Sequence, residues 1–584
     1  MSELIAYIAP QNVLPALSDC ILILNSSNTH LNLVLEEQAS STQKRWVLPQ
    51  PVQRLSLGSE TCHWLIASLH HEPQPLTPTN RAGLQIRAMG HCLNHQDLAH
   101  SLNLGDACSL NELIAAVLQR QIDDGANLTE AMLIANAQLK GQISYLCHQE
   151  SQAQFILASC LGLPLFVGLE SGLRQICSSS LRLIRQRANQ VYAMKDGDIV
   201  RFGLDTPLLI LGDGLEQVLE MPAVTKNQSV PHFMLEEIEA QPETLAILVQ
   251  KYKEGYVLPL ALRAKLAGIR SVTLLACGSS YHAALVARYW FETLAGVSVQ
   301  VGLSSEYCDR DVRADDHDLM IAISQSGETT DTIAALKHAQ ASGRPRTVAL
   351  TNSPGSTLTT LVDHHLLTHS GAEQSVSATK SLTAQILLLF MLANALGQAR
   401  GHLSAEQVAS HDEEMLLLPN VVAQTLLLNK EIRRWANGLH RKNNLFVIGR
   451  HTHYPVAMEG AFKLREVAYQ HAEAFPAGEL KHGPITLVND DLPVIVCLPW
   501  NQQAQKMLDD LKAIRANHGE IFILSNGNIA SVEGTSVIRM PSGLTHLSPI
   551  IYIVALQMLA YYCAVLSGNA IDTPRNLAKV TMDF

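Results

Sequence analysis

The sequence predicts an α/β protein: two tandem copies of one parallel-sheet domain, preceded by a smaller α+β domain. Three observations carry this. From about residue 270, short β-branched runs alternate with helical stretches, the pattern of a parallel sheet covered by helices. The pattern then recurs. VTLLACGSSYHAALVARYW (272–290) returns as NLFVIGRHTHYPVAMEGAF (444–462), DLMIAISQS (318–326) as DLPVIVCLP (491–499), and RTVALTN (346–352) as EIFILSN (520–526). An offset held near roughly 173 residues through three segments in the same order makes chance a poor explanation. Before residue 220 the texture differs: short strands such as CILILN and LNLVLEE, many Gln, Asn, Ser and His, and little charge.

Bulk properties agree with several domains. A chain of 584 residues is long for one core, and 47% apolar against 16% charged residues describes a globular protein with much buried surface. The net charge of -11 argues against nucleic acid or an anionic membrane as partner. Eleven cysteines lie scattered without a C-x-x-C pair or a Cys/His cluster at zinc spacing, so they read as free thiols in a reducing compartment, with no metal and no cofactor implied. The start MSELIAYIAP carries an acid where an export signal has a base, and a cytoplasmic location is expected. Two greasy stretches, 382–396 and 549–566, read as buried helices rather than membrane spans, the second being interrupted by Gln557. The expected domains are 1–221, a linker over 222–250 with a short helix framed by Pro231 and Pro242, 251–404, and 430–584.

After the apolar run 319–323 comes SQSGETTDT (324–332), five hydroxyls around the first turn of a helix. Capping explains some of them, with Ser326 accepting from the Thr329 amide. The rival is an anion site, because free amides and the positive helix end favour a phosphate there. The second copy decides between them. Its corresponding turn, LPWNQQAQ, has no Ser or Thr, and a cap needed for folding should recur in both copies. A ligand site need not.

The stretch 454–475 is helical in pattern, and Glu459, Lys463 and Glu466 fall within about 60° of one another on it. Apolar residues cover most of the remaining circumference, so the charged stripe faces something polar inside the protein rather than solvent. Downstream, GELKHGP (478–484) offers Glu479, Lys481 and His482 on a loop. Together these make a candidate acid/base set.

These residues carry a resemblance. ACGSSYHAALVARYWFETLAGV, ISQSGETTDT, AMEGAFKLREVAYQHAEAFPAGELKHGP and the tail DTPRNLAKVT are similar to the isomerase half of the glutamine–fructose-6-phosphate aminotransferases, which has two sugar-isomerase (SIS) domains. The likeness spans roughly 230–584 without large gaps. It implies that Ser324, Gln325, Ser326 and Thr329 hold a sugar phosphate, and that Cys277, Gly278, Ser279, Ser280, Val376 and Ala578 line the sugar. It implies Glu466 as the base moving a proton between C1 and C2, supported by Lys463, with His482 opening the ring across a homodimer interface. Lys579 would form a Schiff base with the open ketose. One departure stands out: the family's Val-Ala-Ser-Thr-Lys is here Val376-Ser377-Ala378-Thr379-Lys380, its serine one place early.

The N-terminal half resembles the family's Ntn-type glutaminase only in scaffold, at LIAYIAP, NLTEAMLIANAQLKG (127–141) and LGLPLFVGL (161–169). Its chemistry is missing. The nucleophilic cysteine falls on Ser2, the Arg-Gly-Tyr-Asp-Ser-Ala-Gly run on 27–33, the Arg-Trp-Ala-Thr-His run on 66–70, the oxyanion asparagine on Met89 and the amine-gripping aspartate on Leu110. Serine with its own α-amine can serve as a nucleophile, but losing an oxyanion donor alone costs about 10²–10³ in rate. The expectation is a degenerate glutaminase domain and an enzyme interconverting fructose 6-phosphate and glucosamine 6-phosphate, with nitrogen from free ammonia or a partner. The alternatives are a glucosamine-6-phosphate deaminase and a non-catalytic sugar-phosphate sensor.

Overall fold

The computed structural model describes residues 3–8, 32–39, 42–48, 62–70, most of 83–219, and 232–577 apart from 314, 344 and 530–533. It separates into two compact units, 1–229 and 230–584.

The first unit holds two sheets whose strands pair antiparallel at every register described. One has seven strands, with Glu3–Ile8 between Gln175–Ser178 and Cys62–His70; the other has six, ending on Leu84–Cys92 beside Gly141–Gln149. Leu110–Asp123 and Leu128–Gln138 are helices, each opened by a capping box, Ser109 with Glu112 and Asn127 with Glu130. Their apolar faces (Leu113, Val117, Leu118, Met132) close on Leu84, Ile86 and Leu157 of the six-stranded sheet. Of the two strands expected early in the chain, CILILN lies outside the described residues and LNLVLEE falls on Asn32–Ala39.

The second unit contains the repeat. Its first sheet is built from β1 (Ser271–Ala276), β2 (Ser298–Leu303), β3 (Asp318–Ile323), β4 (Arg346–Thr351) and β5 (His364–Leu367), in the order β2-β1-β3-β4-β5. Its second comprises β6 (Asn444–Gly449), β7 (His471–Pro476), β8 (Val494–Cys497), β9 (Ile521–Ser525) and β10 (Thr535–Arg539), in the order β7-β6-β8-β9-β10. Both are wholly parallel and share one permutation of strand order. The order reverses beside the first strand of each, and in open α/β sheets ligands bind outside the strand ends at such a point. Here the loops after β1 and β3 are brought side by side.

Helices cover the sheets: α1 (Gly278–Ala295), α2 (Thr330–Ala341), α3 (Lys380–Ala399), α4 (Ala405–Leu426), α5 (Asn429–Leu439), α6 (His453–Ala468), α7 (Ala504–Ala516) and α8 (Ser548–Leu566). α1 packs on α3 and α6, and α6 on α8, which joins the two repeats into one body. α3 and α8 are long and apolar enough to cross a membrane, yet 89% and 83% of their apolar windows are buried inside the unit. They are core helices.

Two sequence expectations are corrected. The helix read over 454–475 stops at Ala468, where Tyr469 takes a left-handed conformation (φ 58) and sends its amide back to Leu464. Residues 471–475 are strand, pairing with β6, because Ala and Glu propensity yields to the edge that β6 offers. The stretch expected as a linker also differs. Residues 220–231 lie outside the described ones, while Phe233–Glu239 and Gln241–Lys253 are helices of the second unit. Pro242 sits at the start of the latter helix, where its missing N–H costs nothing. Gln241 is fully buried; its amide donates to Gln557 (2.9 Å) and its carbonyl accepts from Thr383 (2.8 Å).

Candidate functional site

The turn after β3 is held against the end of β4 and the loop that follows it. The Ser324 amide donates to Leu350 O, Gln325 O accepts from Asn352 N (2.9 Å) and Thr351 Oγ1 (3.1 Å), and Gly327 O accepts from Leu358 N. Gly327 has φ +71, and a Cβ there would meet Ser356 Oγ at 2.1 Å, so only glycine fits. The capping contact expected of Ser326 is absent: its Oγ accepts from Glu328 N (3.1 Å), inside the turn. Ser324 Oγ accepts from Gly327 N (3.0 Å) and lies 2.8 Å from Thr329 Oγ1. Thr329 is the N-cap of α2, but its side chain caps none of the first-turn amides. The hydroxyl cluster therefore organises the turn without capping the helix, and the helix start keeps free donors for an anion.

After β1 the chain turns through Cys277, the N-cap of α1, into Gly278 at φ +53. Cys277 Sγ is 3.8 Å from Thr332 Oγ1, and Ser280 Oγ donates to Gln385 Oε1 (3.0 Å). Ser279 faces α6. Its Oγ donates to Glu459 Oε1 (3.0 Å) and accepts from Lys463 Nζ (3.1 Å).

The charged stripe of α6 is buried as the sequence implies, with Glu459 1% and Lys463 0% exposed. Lys463 Nζ bridges Glu459 Oε1 (3.3 Å) and Glu466 Oε2 (2.7 Å). Burial pulls the Lys463 ammonium down, but the Glu459 and Glu466 carboxylates outweigh it and hold the group above the ordinary lysine range. Glu459 shows the mirror balance. Burial pushes its carboxyl up, but Lys463, His282 (Nδ1 2.6 Å from Oε2) and Ser279 hold it below the usual range. Lys463 is thus a fixed cation, unsuited to Schiff-base chemistry.

Glu466 is placed differently. Its Oε2 takes both Lys463 Nζ and the Ser377 hydroxyl (2.7 Å each), and the carboxylate lines a cleft of about 490 Å³ walled also by Phe462, Tyr469, Arg575 and Leu577. A carboxylate with one oxygen tied down and a cleft in front of it is equipped to move a proton. Ser377 sits on a loop pinned at both flanks. Glu373 accepts from Thr379 N (3.0 Å), Ser381 N (3.1 Å) and Ser381 Oγ (2.6 Å), while Glu237 accepts from Gln374 N and Ser375 N. Burial, then Glu373, pushes the Glu237 carboxyl up to about 7. Between them Val376 N donates to Asp572 O (3.1 Å), and the Asp572 carboxylate accepts from Phe233 N and Met234 N (2.9 Å each).

The structure thus brings together Ser279, Lys463 and Glu466, and holds Val376 next to the loop anchor at Ser375. Cys277 is the N-cap of α1, Gly278 and Ser280 stand in its first turn, and Ser324, Gln325, Ser326 and Thr329 lie on the turn after β3. It does not bring His482 to them within the chain. That residue is exposed on the turn Ala477–His482, its side chain without a hydrogen bond or ion pair among the described residues. Lys579 and Ala578 lie outside the described residues, two positions or fewer beyond Leu577 in the cleft wall. Among the described residues no group of His, Cys, Asp or Glu is placed to hold a metal ion.

Sequence reasoning missed His282, Glu237, Glu373 and Asp572. His282 had a signal, one helical turn after Ser279 on the same face. Glu373 holds amides of its own loop, whereas Glu237 and Asp572 bind backbone amides far away in sequence, which no local pattern reveals.

In the first unit, Ile66–His70 lie in a strand, Met89 is a buried apolar residue of Leu84–Cys92, and Leu110 opens a capped helix. Ser2 and residues 27–31 are outside the described ones.

Two stretches, 265–395 and 438–567, match the SIS domain family. Over 521 residues the chain is 34% identical to glutamine–fructose-6-phosphate aminotransferase (isomerizing) of Xanthomonas campestris pv. campestris, covering 86% of this chain and 85% of that one. It is 38% identical over 485 residues to the protein of the same name from Pseudomonas syringae pv. tomato, covering 80% and 79%. Among solved structures, the C-terminal domain of glucosamine-fructose-6-phosphate aminotransferase from Francisella tularensis aligns with a TM-score of 0.57 at 30% identity, over 60% of this chain and 100% of that one.

Proposed function

Because the chain belongs to the isomerizing glutamine–fructose-6-phosphate aminotransferase family, we propose that its second unit interconverts fructose 6-phosphate and glucosamine 6-phosphate, taking nitrogen as free ammonia. The observation that carries this reading is Lys463 bridging buried Glu459 to cleft-facing Glu466, with the start of α1 reaching both this stripe, through Ser279, and the first turn of α2, through Cys277 and Thr332. The turn Ser324–Thr329 takes the phosphate, and Ser279, Ser280 and Val376 line the sugar. Glu466 receives a proton from C1 of the open-chain imine and returns it to C2, converting the ketose skeleton to the aldose. Lys463 stays protonated throughout and stabilises charge that develops on the enolamine. Lys579, carried in by the tail that borders the cleft, forms the Schiff base with the C2 carbonyl, releasing water, and ammonia then displaces it. His482, exposed in its own chain, opens the ring in a second copy, which makes the active form a homodimer in the cytoplasm.

The first unit in this reading no longer hydrolyses glutamine. A buried methionine replaces an oxyanion donor at position 89, and a leucine replaces the substrate-amine anchor at position 110. Purified protein with fructose 6-phosphate should form glucosamine 6-phosphate on ammonium and none on glutamine. Glutamine-dependent product that disappears in Ser2→Ala would overturn the ammonia reading.

A further inference from the structure

We propose that Ser377 is a positioning residue for the base: its hydroxyl locks one oxygen of Glu466, so that the other oxygen alone meets the substrate proton. The inference rests on the function proposed above and names a residue that the sequence resemblance assigns no role.

The geometry is specific. Ser377 is fully buried, and its Oγ donates to Glu466 Oε2 at 2.7 Å. Lys463 Nζ reaches the same oxygen at 2.7 Å from one turn earlier on Glu466's own helix. Two donors on one oxygen fix the carboxylate plane and leave Oε1, without a hydrogen-bond partner among the described residues, as the oxygen open to a substrate proton. The donor is itself held rigidly. Carboxylates of Glu237 and Glu373 clamp the amides on either side of it, and the Thr379 carbonyl accepts from Gln557 Nε2 (3.3 Å). Ser377 therefore cannot swing away without breaking a buried network. Its neighbour Ala378, only half-buried, has no hydroxyl to give the sugar. In this chain the loop's hydroxyl serves the base rather than the substrate.

The roles separate kinetically. A hydroxyl that touches the sugar changes KM, whereas one that orients the base changes kcat. Wild type, Ser377→Ala and the swap Ser377→Ala/Ala378→Ser are compared in fructose 6-phosphate to glucosamine 6-phosphate conversion on ammonium. Both variants should lose roughly tenfold in kcat with KM nearly unchanged, as the base loses one charge-assisted hydrogen bond. The inference is overturned if kcat is unchanged in Ser377→Ala, if the loss falls on KM alone, or if the swap restores the wild-type kcat. A wild type without turnover on either sugar phosphate overturns the proposed function itself, and this inference with it.

Discussion

At the scale of single residues, the site works by giving chemically identical groups different jobs. Glu459 and Glu466 stand seven positions apart on one helix and share one lysine, yet only Glu466 opens on the cleft. Glu459, its two oxygens taken by Lys463, Ser279 and His282, is a permanent anion that keeps Lys463 charged. Replacing the cleft-lining partner should therefore cost chemistry rather than folding. Glu466→Gln keeps an acceptor for Ser377 and should lower turnover by about 10²–10⁴-fold, with sugar-phosphate affinity changed by no more than about threefold. Steady-state kinetics and a binding titration on the same preparation check both halves, and an active variant would remove Glu466 from the role of base.

At the scale of elements, two predictions separate ligand binding from fold maintenance. Ser324, Ser326 and Thr329 organise a turn without capping α2, so the triple replacement by Ala should leave the chain folded, its melting temperature lowered only by the lost bonds within the turn. Sugar-phosphate binding should weaken by on the order of a hundredfold, about 3 kcal/mol for three charge-assisted hydrogen bonds. Equal loss of stability and binding would return the turn to a structural part. Glu237 gives the converse case. With its carboxyl pushed from 4.5 up to about 7 by burial and Glu373, the folded chain retains a proton that the unfolded chain releases. The group's contribution to stability is thus greatest below pH 4.5, falls as pH rises to about 7, and stays low above it, a change of about 3 kcal/mol. Glu237→Gln keeps the carbonyl for the two loop amides and cannot ionise. It should flatten that slope and melt higher than wild type at pH 8, as thermal denaturation across pH will read. These elements also show what the sequence could reveal. The repeat, the parallel strands and the charged stripe were legible because their periodicities are local. The strand β7 was not, because Ala472, Glu473 and Ala474 are helix formers and only pairing with β6 makes them extended. The clamp on the 374–381 loop was hidden for the same kind of reason: Glu237 reaches amides well over a hundred positions away.

At the scale of the whole molecule, every described residue assigned to the sugar site falls in the second unit, and both of its sheets are complete there. Residues 230–584 expressed alone should fold and carry ammonium-dependent glucosamine 6-phosphate formation at a rate within about threefold of the full chain, since function follows the site rather than the assembly around it. The same piece ended after Leu577 should be inactive though folded, because it lacks the lysine proposed to hold the ketose. Activity surviving in that truncation would remove Lys579 from the mechanism. Asp572 gives this arrangement a mechanical character. Its carboxylate accepts from the amides at the start of the helix at 233, while its carbonyl accepts from Val376, one residue from the serine bonded to Glu466. Two stretches far apart in the chain are thus moored to a single residue. Under the proposed mechanism, a shift of the 233 helix start would reach the loop beside the base through that one mooring.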